Sequence, residues 1–535
     1  MGSFIGCFGL GVVGVVGSFV GPVAAGIEKR VVRSDYGVWR GQVERAGFCS
    51  NPVRVAGRTT AVDGATGEVR AVFDSGSQPD GVLLVACGDR RAAVCASCSE
   101  TYRRDLWHVV AGGLTGGGGE GSGLRAETVS GLVPDGVGRH PRLFLTLTAP
   151  SFGPVHTVHR DGSPCRPRAA RNGRVRVCAH GRAVGCGLRH SRADRTVGSP
   201  LCADCFDYAG VVLWNSSVGE LWRRTRIYAD RALAREVSAV VGRRVPTSRL
   251  RDVLRVSYIK VAEFQKRGLV HLHIVARLDG VDPEDRDRIA APPSWASAAL
   301  LRSAFAAAVP AVGVELSSPD GLLRVAQWGA QWDASDVSAA SDGSVAAGRR
   351  TAAYLSKYAT KTAGGSAASG WALARRIRTL RVAWLRRQVG EHLARMVETA
   401  WTLGAEPGLE GLRRWAHSLG HPGHLATKSR RYSLTLGALR QARRSWRAEQ
   451  RRAAGEDDPW ADDAAVRVGE WRYVARGYAS LGDAALAERM AEQHAFALAE
   501  YRDQIARENA FRAEVGLPPV PARGSSRGMS RAASA

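Results

Sequence analysis

Polar and apolar positions alternate most regularly in the run Val256-Ser-Tyr-Ile-Lys-Val-Ala-Glu-Phe-Gln-Lys-Arg-Gly-Leu-Val-His-Leu-His-Ile-Val-Ala-Arg-Leu278. A period of two marks strands, whose successive side chains point to opposite faces. The run predicts two strands joined by a tight turn. His271 and His273 fall on one face of the second strand, and Val270, Leu272 and Ile274 on the other. Lys266-Arg267-Gly268 suits a three-residue hairpin loop ending on a left-handed glycine. That register pairs Gln265 with Leu269 and Glu263 with His271. A carboxylate and two imidazoles then converge on one patch of sheet, the make-up of a divalent-metal site with open positions.

Elsewhere the pattern predicts a strand at Arg142–Thr148, a shorter one at Gly81–Ala86, and helices starting at Tyr102 and covering 210–241, 282–309 and 350–362. A basic amphipathic helix is expected from Gly370 to about Gly404, a second basic segment at 427–452, and a mixed-charge helix over 464–513. Gly112–Gly123 reads as a linker and 317–348 as a loop or insertion. Residues 160–206 are rich in Cys, His and Gly with little periodicity. The tail from about Pro518 has the composition of a disordered segment. Spacings of three and four place Tyr354, Lys357, Tyr358 and Lys361 along one helical face.

The chain has 535 residues and a formal charge of +25. So large a basic excess points to a polyanionic partner, most simply nucleic acid. Of the 75 basic residues six are lysine, and four of these lie in the hairpin and in 354–361. Arg375, Arg376, Arg378 and Arg381, with Lys428, Arg430, Arg431, Arg440, Arg443 and Arg444, are candidates for phosphate contact. No G-x-x-x-x-G-K-[ST] run occurs, so any DNA unwinding is expected to be borrowed from a partner.

The ten cysteines are clustered, and two pairs are spaced C-x-x-C. No secretory context supports disulfides, so metal binding is the better reading. Cys95 and Cys98 with Cys87 and Cys49 would complete one thiolate set. Cys202 and Cys205 with Cys178 and Cys186 would complete a second, with His180 and His190 as substitutes. Structural zinc is the expected ion. Cys7 and Cys165 have no assigned role. Residues 2–27 are uncharged and rich in Gly, Val and Phe, long enough for a membrane span. No basic residue precedes them as a signal peptide requires. A start assigned too early is the other alternative.

A strand Phe144-Leu-Thr-Leu-Thr148, a His-hydrophobe-His strand and a Tyr-x-x-Lys helix, in that order, resemble the HUH endonucleases. Closer still, the stretch from Cys95 to about Arg444 resembles the replication initiator proteins of actinobacterial plasmids and integrative elements. The residues that carry this are Cys87-Gly-Asp-Arg90 with Cys95-x-x-Cys98, Pro200-Leu-Cys-Ala-Asp-Cys-Phe206, Glu263-Phe-Gln-Lys-Arg-Gly268, His271-Leu-His273 and Lys428-Ser-Arg-Arg-Tyr-Ser433.

The resemblance implies an α+β fold: an HUH-type antiparallel sheet with flanking helices, a zinc-stabilised N-terminal region and a helical C-terminal region. The expected divisions are an apolar extension (1–34), a Cys-containing region with linker (35–124), an endonuclease domain (140–365) with the insertion 160–206, a basic helical DNA-binding region (366–452), and a helical region with a tail (453–535). It also implies a tyrosine attacking a phosphodiester at a replication origin, giving a 5′-phosphotyrosyl link and a free 3′-OH. His271, His273 and Glu263 would hold Mg2+ or Mn2+, with Gln265 as the fallback third ligand because related enzymes vary it, and Lys357 or Lys361 would offset charge at phosphorus. Tyr354 and Tyr358 both match the pattern; Tyr358 is preferred as nucleophile, with Tyr354 as a second nucleophile or a positioning group. A cytoplasmic protein is expected, acting on origin DNA with a host helicase and polymerase and taking no small-molecule substrate. A relaxase or transposase using the same chemistry, and a non-catalytic zinc-dependent DNA-binding regulator, are the competing readings.

Overall fold

The computed structural model describes residues 20–64, 66–116, 133–159, 161–166, 173–317, 319–337, 345–360, 373–453, 455, 465–518 and 520. In chain order the elements begin with α1 (Val20–Val31), α2 (Tyr36–Arg45), β1 (Val53–Asp63), β2 (Val69–Asp74), β3 (Leu83–Val85) and α3 (Ala96–Thr115). They continue with β4 (Arg142–Leu147), α4 (Tyr208–Val241), β5 (Leu254–Phe264), β6 (Val270–Val281), β7 (Ile289–Ala290), α5 (Ala298–Ala311), β8 (Val314–Leu316), β9 (Arg324–Ala326) and β10 (Trp332–Asp336). The last are α6 (Val345–Ala359), α7 (Val382–Val389), α8 (Glu391–Leu403), β11 (Ala426–Lys428), α9 (Leu436–Ala453), β12 (Ala465–Arg476) and α10 (Leu481–Glu514). The protein is α+β. Its chain forms two compact units, one of residues 1–101 and 445–535 and one of residues 102–444.

The larger unit is built on an antiparallel sheet in the order β10-β4-β6-β5-β11, with β7 on the far end of β6. Alternation along the strands divides its two faces. Leu143, Leu145 and Leu147 of β4 and Leu272, Ile274 and Ala276 of β6 pack with Val211, Trp214, Leu221 and Leu233 of α4 and Phe305 of α5. The opposite face carries Ile259, Val261 and Val275, covered by Val110 and Leu114 of α3, Ala352 and Leu355 of α6, and Tyr432. The central strands are therefore covered on both faces.

The strand register is the predicted one. Glu263 pairs with His271 and Phe264 with Val270, the Gln265 amide donates to the Leu269 carbonyl over 2.8 Å, and Gly268 has φ 79°. A Cβ at Gly268 would lie 2.3 Å from the Met396 sulfur. Only glycine gives both the left-handed turn and the space.

The smaller unit joins the two ends of the chain. β12 pairs along the whole of β1, whose other edge takes β2 and β3. α1 and α10 approach closely at Gly26 and Gly482, where a Cβ on Gly482 would meet the Gly26 backbone at 2.3 Å. Arg30 is buried against Asp483 (2.7 Å) and Asp80 (2.6 Å), and the Asp483 hydrogen bond raises its pKa. No helix among the described residues is long and apolar enough to cross a membrane.

Several expectations are corrected. Residues 282–297 are not helical; the helix begins at Ala298, capped by the Ser297 hydroxyl. The segment 317–348, expected as a loop, supplies β10, an edge strand of the main sheet. Of the expected helix 370–404, residues 373–381 are irregular and the rest forms two helices, α7 and α8, with Gly390 between them at φ 83°. Over 465–476 the helix expectation fails, because Val466, Val468, Trp471 and Tyr473 belong to the strand β12. Val466 and Val468 lie on one face and Trp471 and Tyr473 on the other, so the apolar positions switch faces across Gly469-Glu470 and hold no single period of two. Residues 112–115 of the predicted linker 112–123 are the end of α3, while 117–123, residues 1–19 of the apolar extension and the tail beyond 520 lie outside the described residues.

Candidate metal and tyrosine site

Glu263, His271 and His273 meet on the α6 side of the sheet. The β5–β6 register sets Glu263 directly across from His271, and the two-residue period sets His273 beside it. Glu263 Oε2 lies 3.2 Å from His271 Nε2 and 3.1 Å from His273 Nε2, and the two Nε2 atoms are 2.8 Å apart. Neighbouring ligands of an octahedral Mg2+ shell are separated by about 2.9 Å. His273 Nε2 offers one lone pair or one N–H, yet faces Glu263, His271 and the Tyr354 hydroxyl at 3.5 Å. A single divalent cation satisfies all of these groups at once, so the donor set fits such an ion.

The rings are held from behind. The Thr146 hydroxyl lies 3.4 Å from His273 Nδ1, and Phe144 stacks on the His273 ring at 5.7 Å. Gln265 contacts His271 at Nδ1 (3.0 Å) and accepts from Arg267 (2.7 Å). The alternative ligand is thus placed on the far side of the ring from the cluster, and the carboxylate of Glu263 is the third member.

α6 brings both tyrosines to His273. The Tyr354 ring centre is 5.1 Å and the Tyr358 ring centre 5.5 Å from it, and the two phenols lie 4.6 Å apart. Tyr354 is 41% exposed, which leaves it open to a substrate, while Tyr358 packs partly against the apolar core. Burial, with a hydrogen bond to Tyr358, raises the Tyr354 pKa above that of a free phenol. Lys357 is exposed on the same helix; Lys361 lies outside the described residues.

The hairpin turn is anchored by groups that sequence reasoning missed. Asn215, fully buried in α4, donates to the Gly268 and Leu419 carbonyls (3.0 and 2.9 Å) and accepts from the Val270 amide (3.1 Å). His392 of α8 contacts the Arg267 carbonyl at 3.1 Å and the Tyr208 hydroxyl at 3.1 Å. A buried Asn beside a tight turn leaves no mark in periodicity.

The nine described cysteines gather in three sets. Cys49, Cys87, Cys95 and Cys98 form one, as their spacing predicts. Cys49 and Cys95 sulfurs are 3.7 Å apart, close to the roughly 3.8 Å edge of a tetrahedral Zn–S4 site. The hydrogen bond between Cys49 and Cys95 holds the Cys95 thiol far below the ordinary range and pushes Cys49 up. The second set differs from the expectation. Cys178, Cys202 and Cys205 are completed by His180, whose Nδ1 lies 3.1 Å from Cys205 Sγ. Cys186 instead joins His156, Cys165 and His190. The Cys186-x-x-x-His190 spacing was the sequence signal for this third set.

The basic candidates divide by environment. Arg375, Arg376, Arg378, Arg381, Arg430, Arg440 and Arg444 are exposed, the first four along irregular chain. Arg431 is paired with Asp287 and Arg443 with Asp105. Lys428 donates to the Arg430 and Ser433 carbonyls (3.0 and 2.8 Å), and burial lowers its pKa. Tyr432 is fully buried with its hydroxyl on the Val110 carbonyl (3.2 Å). The segment Lys428–Ser433 therefore ties β11 to the core.

An antiparallel α+β scaffold thus carries a His-His-Glu cluster faced by two tyrosines. Residues 35–492 match the family described as RepSA, replication initiator protein of pSAM2, and the chain belongs to that family. A replication initiator protein of Streptomyces ambofaciens is 40% identical over 460 residues, covering 85% of this chain and 90% of that relative. No solved structure matches. The protein is a replication initiator.

Proposed function

We propose that the chain is an HUH-type DNA strand transferase that starts rolling-circle replication by nicking and later rejoining one strand at the origin. The observation that carries this reading is the Tyr354 hydroxyl, 3.5 Å from His273 Nε2 at the Glu263–His271–His273 cluster. A divalent cation held there would act as a Lewis acid on a non-bridging phosphate oxygen. Tyr354 Oη attacks phosphorus in line, the O3′–P bond breaks, and the strand leaves as a 3′-OH while the 5′-phosphate stays on the tyrosine. Attack by a 3′-OH on that phosphotyrosine reverses the step, so the bond energy is kept and no ATP is consumed. With its pKa raised by burial, Tyr354 stays protonated at neutral pH until substrate or cation lowers the cost of its anion. Tyr354 takes the nucleophile's role ahead of Tyr358 because it is the more exposed phenol with its hydroxyl at the cluster. Tyr358 orients it or serves in the second transfer, and exposed Lys357 offsets negative charge at phosphorus.

The test is formation of a covalent adduct with labelled single-stranded origin oligonucleotides. Adduct should form with Mg2+ or Mn2+ and vanish with EDTA. Tyr354→Phe should lower it by a factor of roughly 10^3 or more, with Tyr358→Phe retaining a measurable fraction. Adduct unchanged in both variants and in the double variant would remove the tyrosines from the chemistry. No adduct with any origin strand would favour a non-catalytic DNA-binding regulator.

A further inference from the structure

We propose that His156, Cys165, Cys186 and His190 hold a zinc ion of their own, and that this ion clamps the loop 192–198 onto the turn of the β5–β6 hairpin. The ligand atoms of the four residues all lie within 4.8 Å of one another. His156 Nδ1 is 3.2 Å from His190 Nε2, Cys186 Sγ is 3.4 Å from His190 Nε2, and Cys165 Sγ is 3.9 Å from His156 Nδ1. A tetrahedral zinc shell has N–N and S–N edges of about 3.3 and 3.5 Å. Both cysteines are buried, at 1% and 5% exposure. His190 also has the outer partner expected of a ligand: its Nδ1 sits 2.6 Å from Asp194 Oδ2, and the Thr196 hydroxyl donates to Asp194 Oδ1 at 2.8 Å.

The ligand pairs are interleaved along the chain. His156/Cys165 and Cys186/His190 serve this set, while Cys178/His180 and Cys202/Cys205 serve the other. Each cross-link therefore spans a segment that carries ligands of its neighbour. The described part of 156–205 holds only isolated bridges, such as Arg166 with Cys186 and Val177 with Ala183. Little besides such cross-links can fix its shape.

The set is joined directly to the hairpin. The His156 amide donates to the Ser199 carbonyl and the Gly198 amide to the His156 carbonyl, both at 2.9 Å. Gly198 has φ 95°, and a Cβ there would lie 2.5 Å from the Lys266 carbonyl carbon. Lys266 Nζ donates to the Arg192 and Asp194 carbonyls. Lys266 and its neighbours form the turn that sets Gln265 against His271. Ion, loop and turn form one continuous chain of contacts.

Zinc per chain is measured by elemental mass spectrometry on full-length protein, with amide exchange read over residues 264–269. Cys186→Ser should lose one zinc per chain and exchange faster at the turn; Cys186→His should keep both properties. Gly198→Ala should keep the zinc and still exchange faster, because it wedges the loop away. Full zinc in Cys186→Ser overturns the site, and zinc loss with unchanged exchange overturns the clamp. Should Cys186→Ser not fold, zinc-edge X-ray absorption on full-length His271→Ala/His273→Ala protein decides. Three sites average three sulfurs and one nitrogen per zinc, whereas half a nitrogen means the site is absent. This readout is separate from nicking: absent adduct with all zinc in place would count against the strand-transfer reading alone.

Discussion

Lys260 shows how position in a strand overrides residue type. It lies in β5 at 8% exposure, on the opposite face from Glu263, and pairs with Ile274 and Thr427. Burial lowers its pKa from 10.5 to about 8. Between those values the folded state binds fewer protons than the unfolded chain, so stability rises with pH across that window. Below pH 8 the full penalty of a buried ammonium is present. Lys260→Met should therefore stabilise the protein by about 3 kcal/mol at pH 7 and much less above pH 10.5, as read from urea melts at the two pH values. The scarcity of lysine in a chain rich in arginine marks these positions in the sequence itself. That signal identifies placed ammonium groups but not their partners: Lys266 and Lys428 cap backbone carbonyls. Glu263, His271 and His273 were legible because a two-residue period and a fixed turn length determine who faces whom. The relative placement of Tyr354 and Tyr358 was not, because four residues on a helix leave both within reach of one histidine.

Among the elements, the hairpin carries the most consequence for the least chain. Its geometry depends on Gly268, where the left-handed backbone and the Met396 sulfur both exclude a side chain. Gly268→Ala should cost about 1–2 kcal/mol for the backbone alone, plus whatever Met396 cannot yield. The expected result is a lower melting temperature together with weaker Mn2+ binding, because a shifted turn moves Glu263 out of register with His271. Unchanged melting and metal binding would mean that the turn tolerates another conformation. Hairpin, long helix α4 and strand β4 were readable because each holds one period over its whole length. Helix 370–404 was overextended because Leu373, Ile377 and Leu380 keep a helical spacing through chain that is irregular, and because Gly390, between α7 and α8, breaks no amphipathic pattern. β12 was missed because its partner, β1, lies some 400 residues earlier in the chain. Pairing at that separation is fixed by the tertiary fold, not by local preference.

For the whole molecule, the charge of +25 points to a polyanionic partner but not to where it would bind. The structure sorts the cations into two groups. Arg431 and Arg443 are committed to Asp287 and Asp105 within the larger unit, whereas Arg375, Arg376 and Arg378 are exposed on irregular chain before α7. Phosphate contacts release counterions, so each one lost should reduce the slope of log binding constant against log salt by about 0.7 on single strands or 0.9 on duplex. If the 375–378 segment tracks the backbone of origin DNA, replacing its three arginines with alanine should lower the slope by roughly two to three. Affinity should fall on specific and non-specific DNA alike, since phosphate contacts carry little sequence information. Arg431→Ala and Arg443→Ala should leave the slope unchanged; Arg443→Ala should appear instead as lost thermal stability, because it removes the partner of the buried Asp105, whereas Arg431 pairs with the exposed Asp287. Fluorescence anisotropy across a salt series with origin and scrambled oligonucleotides measures both effects. A slope that moves with the paired arginines and not with the exposed ones would place the DNA on the other side of these ion pairs.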